Sequence, residues 1–401
     1  MMKTRFSQIA PSWKGFLKLF VCFAVFTNFS NTFLSTYLLK ATGSQKSVMV
    51  FNIVLAGVQP FAMLIAVRLI RLRTPLFSQR AGLFLYAAAF LYLGIAGENA
   101  VYNIQWVAGV LSAANGFFYV TYALQLLAYA KDENRDLSYG VQSIISNTIG
   151  LILPTLSGLL LAAFTDFTGY RIMFFMGLAA CAGAILFSTR LMPIRDITPK
   201  AQLGRALRVL VTDKAASAAM FTSMANGFYS GTMAFFLNML MYSLIENEAV
   251  IGLAGTLGSV AAIFASFVYA RVVNPENRAK SVVLSLGVML ACTLMLVVRV
   301  SLVTLFTFSV LLAGMNAFFL NPPLTAYVNV VERLPALKGL GGEVHALREF
   351  WYGSGRVLGI LMTLCLSEMK NGAVLVIVII LASQLIPAFL MKRMEHPGDA
   401  R

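Results

Sequence analysis

The sequence predicts an all-α integral membrane protein, with twelve transmembrane helices in two pseudo-symmetric six-helix bundles. Three observations lead there. The 401 residues are 59% hydrophobic and only 12% charged, with a mean hydropathy of +0.79; a soluble domain carries about twice that charged fraction. Apolar runs of ~20 residues, the length an α-helix needs to cross a bilayer, recur along the whole chain. The longest polar interruption, Arg190 to Lys214, stands in the middle, with apolar blocks of nearly equal length on either side. Runs such as Val374 to Leu381 (VLVIVIIL) do not alternate as barrel strands would.

In order, the first block offers spans at 18–39, 47–70, 81–97, 103–128, 138–163 and 171–189. The second offers 215–244, 249–272, 281–298, 302–331, 348–368 and 372–391. No small-residue cleavage site follows the first apolar run, so that run is expected to stay as a span. The middle stretch holds Arg190, Arg195, Lys200, Arg205, Arg208 and Lys214 against Asp196 and Asp213. Pro193 and Pro199 keep its first half out of a helix. From Lys200 onward a short surface helix is expected, with Leu203, Leu207 and Leu210 on one side. The expected division is therefore a bundle over 1–189, a cytoplasmic linker over 190–214 and a second bundle over 215–401.

The net charge of +15 does not call for nucleic acid, because basic residues retained on cytoplasmic loops make membrane proteins basic as a class. With the N-terminus placed inside, 25 of the 31 Lys and Arg fall on cytoplasmic segments, five fall outside and Arg356 lies within a span. That bias predicts a multi-pass protein of the cell membrane with both termini cytoplasmic. Cys22, Cys181, Cys292 and Cys365 all fall in apolar spans without metal-site spacing and read as packing residues.

The halves repeat at an offset near 200. TNFSNTF (27–33) faces GFYSGTM (227–233), and Arg68, Pro75 and Arg80 face Arg271, Pro275 and Arg278. Such a parallel duplication is one of the ways transporters are built. Twelve spans in two parallel halves around a long basic central loop resemble the major facilitator superfamily. Span five adds to the resemblance: of the antiporter pattern G-x8-G-x3-GP-x2-GG, Gly140, Pro154 and Gly158 match, with Ser157 as a small substitute. The loop RLIRLRTPLFSQRAG keeps the basic residues of the family's loop signature but lacks its Asp and first Gly.

The approach to span eleven, GLGGEVHALREFWYGSGRVLG (339–359), places His345, Glu349, Tyr352 and Arg356 on one helical stripe at spacings of four, three and four. Glycines 339, 341 and 342 predict a flexible start to it. An ionisable group as deep as Arg356 points to function, either meeting an anionic substrate group or pairing with Glu349 as a gate; it can equally snorkel to the cytoplasmic face. A second set is uncharged: Asn28 and Asn31, Asn115, Tyr119 and Tyr122, Gln142 and Asn147, Asn226 and Ser230, Asn316 and Asn321. The resemblance implies that spans one, four, seven and ten line a central cavity, which makes Asn28, Asn31, Asn115, Tyr119, Asn226, Ser230, Asn316 and Arg356 candidate substrate contacts. Helix–helix hydrogen bonding is their plain alternative. No acid lies mid-depth in those four spans, so Glu349, then Glu343, is the best proton carrier. Pro60, Pro154 and Pro322–Pro323 interrupt spans as kinks or hinges.

No phosphate-loop, H-E-x-x-H or Cys/His cluster occurs, so no cofactor or metal is expected, and no enzyme. The expectation is a secondary transporter that moves a small amphipathic molecule by alternating access, with export favoured and proton coupling through Glu349. Its partners are the substrate and membrane lipids, and it is expected to work as a monomer. Two rivals stand beside it: a lipid-translocating facilitator of the same fold, and a polytopic membrane transferase using Glu343, His345 and Glu349.

Overall fold

The chain starts with a broken helix. α1 (Pro11–Asn28) runs through a π-helical turn at Phe29–Phe33 into α2 (Leu34–Thr42), and Gly43, at φ +63°, closes it. Single π turns widen a helix by one residue and often mark functional places; this one falls on the Ser30–Thr32 stretch. The computed structural model describes residues 11–130, 132–164, 166–194, 200–244, 248–299, 301–367 and 372–395. Arg195, Asp196, Pro199, Lys370 and His396 lie outside the described residues, as do the side chains of Asn31 and Thr32.

Everything else described is helix and short connection. α3 (Gln45–Leu72) is capped by Ser44, and α4 (Pro75–Ala96) by Thr74, whose hydroxyl accepts from the Phe77 N–H at 3.1 Å with Pro75 at the first turn. Both use the side-chain oxygen that helix starts need. A 3-10 turn (Gly97–Asn103) leads to α5 (Ile104–Tyr129), then α6 (Asp132–Ala162) and α7 (Thr168–Ser188). The short α8 (Leu203–Thr212) precedes α9 (Lys214–Leu244), α10 (Glu248–Val272), α11 (Arg278–Val298), α12 (Leu302–Arg333), α13 (Gly341–Ser367) and α14 (Gly372–Glu395). With α1–α2 taken as one segment and α8 set aside, twelve long helices are present among the described residues, as expected. Among the described residues, eight stretches meet the length and apolarity of a membrane span.

The chain forms two compact units. The first comprises Met1–Ala130, Thr148–Gln202 and Gly339–Ala346; the second comprises Lys131–Asn147, Leu203–Lys338 and Leu347–Arg401. Each unit therefore receives the opening turns of a helix whose remainder belongs to the other: α13 opens in the first unit, α6 in the second.

Several expectations are corrected. α6 begins at Asp132, six residues before the expected span, so Arg135 and Asp136 are buried helical residues rather than loop. In α8, Ala206 and Leu210 are buried but Leu207 is 44% exposed; at ~100° per residue, Leu207 is carried off the buried face. Cys365 is exposed, while Cys181 and Cys292 are buried. The glycines before span eleven make a fitted start rather than a flexible one: Gly339 takes φ +75°, and a Cβ at Gly341 would strike Leu127 Cδ1 at 2.7 Å. The double proline in α12 frees the Phe318 carbonyl, and the Ser281 hydroxyl donates to it at 3.1 Å. Re-satisfaction by a neighbouring side chain is what permits proline within a span.

Candidate functional site

In the first unit, α1 and α5 meet along an aromatic seam. Phe23 stacks parallel on Phe118 with centroids 4.1 Å apart, and Tyr119 stands edge-on to Phe23 at 5.4 Å. Phe16 and Phe20 reach Tyr122 at 5.5 and 6.3 Å. The phenylalanines are buried, whereas Tyr119 and Tyr122 are half-buried. Above this seam, Asn28 donates to the carbonyl of Ala24 at 2.9 Å, so its amide is turned back on its own helix. Asn115 accepts from the buried Tyr86 hydroxyl. The π turn, Asn28 and Tyr119 thus come from the elements expected to supply them, and Tyr86 is a partner the sequence did not single out.

In the second unit, α9 and α13 touch backbone to backbone. A Cβ at Gly227 would land on the Tyr352 carbonyl, one at Gly231 on Arg356, one at Gly355 on Met224 and one at Gly359 on Phe228. Four glycines in two reciprocal G-x-x-x-G pairs permit that approach. It fixes the height of the α13 stripe against α9. Asn226 is 7% exposed, and its Oδ1 has no hydrogen-bond donor among the described residues. Ser230 is half-buried one turn on. Asn316 accepts from the Tyr229 hydroxyl at 2.8 Å, the same phenol-to-amide bond that Tyr86 makes to Asn115. Asn321 donates to Ser143 at 3.0 Å, and Asn147 donates to Ser266 at 3.1 Å. These latter amides tie helices together, which is the plain alternative.

Glu349 is buried and lies in the fields of both Arg348 and Arg356. Arg348 is fixed: its Nε donates to the Ser223 hydroxyl at 2.8 Å, and its guanidinium lies 4.8 Å from the Tyr327 ring centroid and 5.8 Å from that of Tyr352. Such placement over ring faces is attractive. Two cations around one acid leave a surplus of one positive charge. Arg356 and Tyr352 are half-buried. His345, expected on the same stripe, belongs to the first unit, where it is 7% exposed.

Three ion pairs stand at the exchanged helix starts among the described residues; the sequence offers Glu343 as a candidate but none of these pairings. In the first unit, Arg71 Nη2 donates to both oxygens of Glu343, at 2.5 and 2.6 Å, and to the Gly339 carbonyl at 3.3 Å. Glu343 is fully buried. Met63, Val67, Val120 and Leu124 pack with Ala346 beside the pair. In the second unit, Asp136 takes Arg278 at 2.8 Å (Nε) and 2.6 Å (Nη2) on one oxygen and the Tyr269 hydroxyl at 3.0 Å on the other. Next to it, Arg135 pairs with Glu332 at 2.8 Å and with Asn329. Each exchanged start thus brings an acid to an arginine near the α3–α4 or α10–α11 connection. A signal existed: Arg71 to Arg278 and Asp136 to Glu343 are both 207 positions apart.

Among the described residues no cluster of His, Cys, Asp and Glu is fit to hold a metal. The polar groups described sit instead on long apolar helices, half-buried or paired across them. Twelve such helices in two similar halves are the construction of a polytopic solute carrier. The chain belongs to the Major Facilitator Superfamily, whose family model matches residues 19–360, and it has the fold of a membrane transporter. It is 25% identical over 337 residues to the uncharacterized protein YqgE of Bacillus subtilis (strain 168), covering 83% of this chain and 77% of that one. It is 24% identical over 152 residues to an uncharacterized Geobacillus stearothermophilus protein from the sodM 3' region, covering 38% and 71%. Among solved structures it resembles the E. coli fucose:proton symporter FucP (TM-score 0.76, 11% identity, 95% and 98% covered). It also resembles a bacterial homologue of the iron transporter ferroportin in an outward-facing state (0.76, 12%, 96% and 99%) and the human organic anion transporter MFSD10 (0.69, 15%, 95% and 97%). At these identities the likeness is one of fold.

Proposed function

We propose that this protein is a secondary active transporter of the cell membrane that exports a small amphipathic molecule by alternating access, coupled to protons. In this reading residues 1–189 and 215–401 are the two bundles, 190–214 is the cytoplasmic linker, and both termini are cytoplasmic. The observation that carries the reading is Glu349, a buried acid on α13 in the fields of Arg348 and Arg356. A carboxylate so placed changes the local charge from a surplus of one to a surplus of two when it takes a proton. That change frees Arg356 to meet the polar end of a substrate. The half-buried Tyr119 and Tyr122, backed by the buried Phe23–Phe118 stack, support an apolar body for the substrate, since aromatic rings bind apolar and cationic groups alike. Asn28, Asn31, Asn115, Asn226, Ser230 and Asn316 are the proposed uncharged contacts to substrate.

Glu343 takes a different part. Held by Arg71, it fastens the opening turns of α13 as a latch that the transport cycle releases, and Asp136 with Arg278 does the same for α6. His345 and Tyr352 act at the gate rather than on substrate.

The test is uptake into inverted vesicles across a panel of amphipathic compounds, with and without a proton gradient. Transport that ignores collapse of the gradient removes the proton-coupled reading. Glu349→Gln is expected to abolish gradient-driven transport, and Arg356→Ala to weaken substrate saturation. Full coupled transport by the Gln variant would end the assignment of Glu349.

A further inference from the structure

The short helix α8 has an exposed side that the site described above does not include. Its inner side is settled: Ala206 and Leu210 are buried against the start of α9 and the 3-10 turn Pro335–Leu337, whose Leu337 is buried too. The bend into α9 is hydrogen-bonded. Asp213 accepts the Ala216 N–H on its carboxylate at 2.8 Å, its own N–H reaches the Val209 carbonyl at 2.9 Å, and its carbonyl takes the Ser217 N–H at 2.9 Å. α8 is therefore held at the foot of a long membrane-type helix.

Around the remaining circumference the residues are ordered. At ~100° per residue, Leu207 and Val211 form an apolar shoulder beside the buried side, and they are 44% and 58% exposed. Gly204 follows, then the exposed Arg208, Thr212 and Arg205. Lys214 is exposed at the bend, and the only acid from Leu203 to Lys214, Asp213, is spent on the cap. An apolar shoulder with a basic edge is the pattern of a helix lying in the plane of a bilayer surface, and the sign of the charge selects anionic headgroups.

We propose that α8 is a membrane-surface helix: Leu207 and Val211 enter the acyl boundary of the inner leaflet, while Arg205, Arg208 and Lys214 bind anionic phospholipid. The seating is independent of what the protein transports.

The test uses the full chain in vesicles of phosphatidylcholine, with or without phosphatidylglycerol. An environment-sensitive fluorophore is attached at Leu207→Cys, Val211→Cys or Arg205→Cys, with the four native cysteines changed to Ala. Doxyl-labelled lipid is expected to quench positions 207 and 211 strongly and 205 weakly. Quenching should rise by roughly twofold with the anionic lipid and lose that rise in Arg208→Gln. Quenching of 207 and 211 by aqueous iodide would show a solvated face and overturn the proposal. Protection from both quenchers would show a protein occupant and overturn it as well. Equal lipid quenching with and without phosphatidylglycerol would overturn the anionic preference. If the cysteine-free chain does not fold, thermal unfolding of the native-cysteine protein in nanodiscs decides. Phosphatidylglycerol should raise its midpoint, and Arg205→Gln/Arg208→Gln should abolish the rise; an unchanged rise overturns the proposal.

Discussion

Replacing Glu343 by Gln keeps its volume and removes its charge. The site makes that change costly. Glu343 is fully buried, the Arg71 side chain is 5% exposed, and one guanidinium nitrogen reaches both carboxylate oxygens within 2.6 Å. The Gln202 N–H also donates to Oε1 at 3.3 Å. Breaking a buried pair by neutralising one partner costs about 3–5 kcal/mol, because the other charge is left buried. The Gln carbonyl still accepts one bond and Arg71 keeps the Gly339 carbonyl, which sets the expectation at the lower end, about 3 kcal/mol. The loss falls on the first turns of α13, so it is read locally. Amide hydrogen exchange over 341–346 should quicken by roughly two orders of magnitude, since ~1.4 kcal/mol is tenfold. The measurement is exchange mass spectrometry on the intact protein in nanodiscs. Replacing both partners, Arg71→Met with Glu343→Leu, should bring exchange back to within about tenfold of the starting protein, since a buried pair exchanged for apolar groups is often neutral. Native-like exchange in the Gln variant, or a double variant as fast as the single, would refute this account of the pair.

Three further predictions follow from other parts of the fold. Gly355→Ala should lower the thermal midpoint by an amount equivalent to about 1–3 kcal/mol of overpacking, because its Cβ meets the Met224 backbone; Gly57→Ala, with nothing within 4 Å, should be neutral or slightly stabilising. Asn226→Ala should leave stability within about 1 kcal/mol, since it removes a buried oxygen that has no donor among the described residues, while lowering transport; a large stability loss with transport intact would take Asn226 out of the substrate set. Asp166, outside the spans, has its carboxyl held below the ordinary range by the Thr168 hydroxyl at 2.7 Å and N–H at 3.1 Å. A depressed value contributes stability above the ordinary carboxylate range and loses it as pH falls through the lowered one, so exchange at the start of α7 should quicken in acid, and Asp166→Ala should flatten that dependence.

The fold was legible because hydropathy reports what a membrane helix needs, and the apolar runs carry it on their surface. Where it failed, the polar groups had hidden partners. Arg135 and Asp136 read as loop because two charges in succession end an apolar run, yet Glu332, Asn329, Arg278 and Tyr269 neutralise them in place. Hydropathy averages neighbours in sequence and has no access to partners tens to hundreds of positions away. The same limit hid Tyr86 and Tyr229, whose hydroxyls serve Asn115 and Asn316: an amide in an apolar helix stands out, but a tyrosine there does not. Which part of the apolar side of α8 is covered was hidden for another reason. Leu203, Leu207 and Leu210 share a broad apolar arc, and packing against α9 chose only part of it. The glycines of α9 and α13 were visible as letters, but backbone contact required both helices to be set side by side.

The exchange of helix starts also has a consequence in time. A ribosome adds ~5–20 residues per second, so Arg71 is made roughly 15–50 s before Glu343 exists. Through that interval the first unit lacks its last stretch, Gly339–Ala346, and its arginine has no counter-charge; the second unit has Asp136 early and waits for Arg278. Neither unit is finished before nearly the whole chain has been synthesised. The newborn protein thus carries an exposed basic group and an unfilled apolar notch beside Met63 and Val67 for most of its synthesis, the condition in which membrane chaperones and quality-control proteases find their clients.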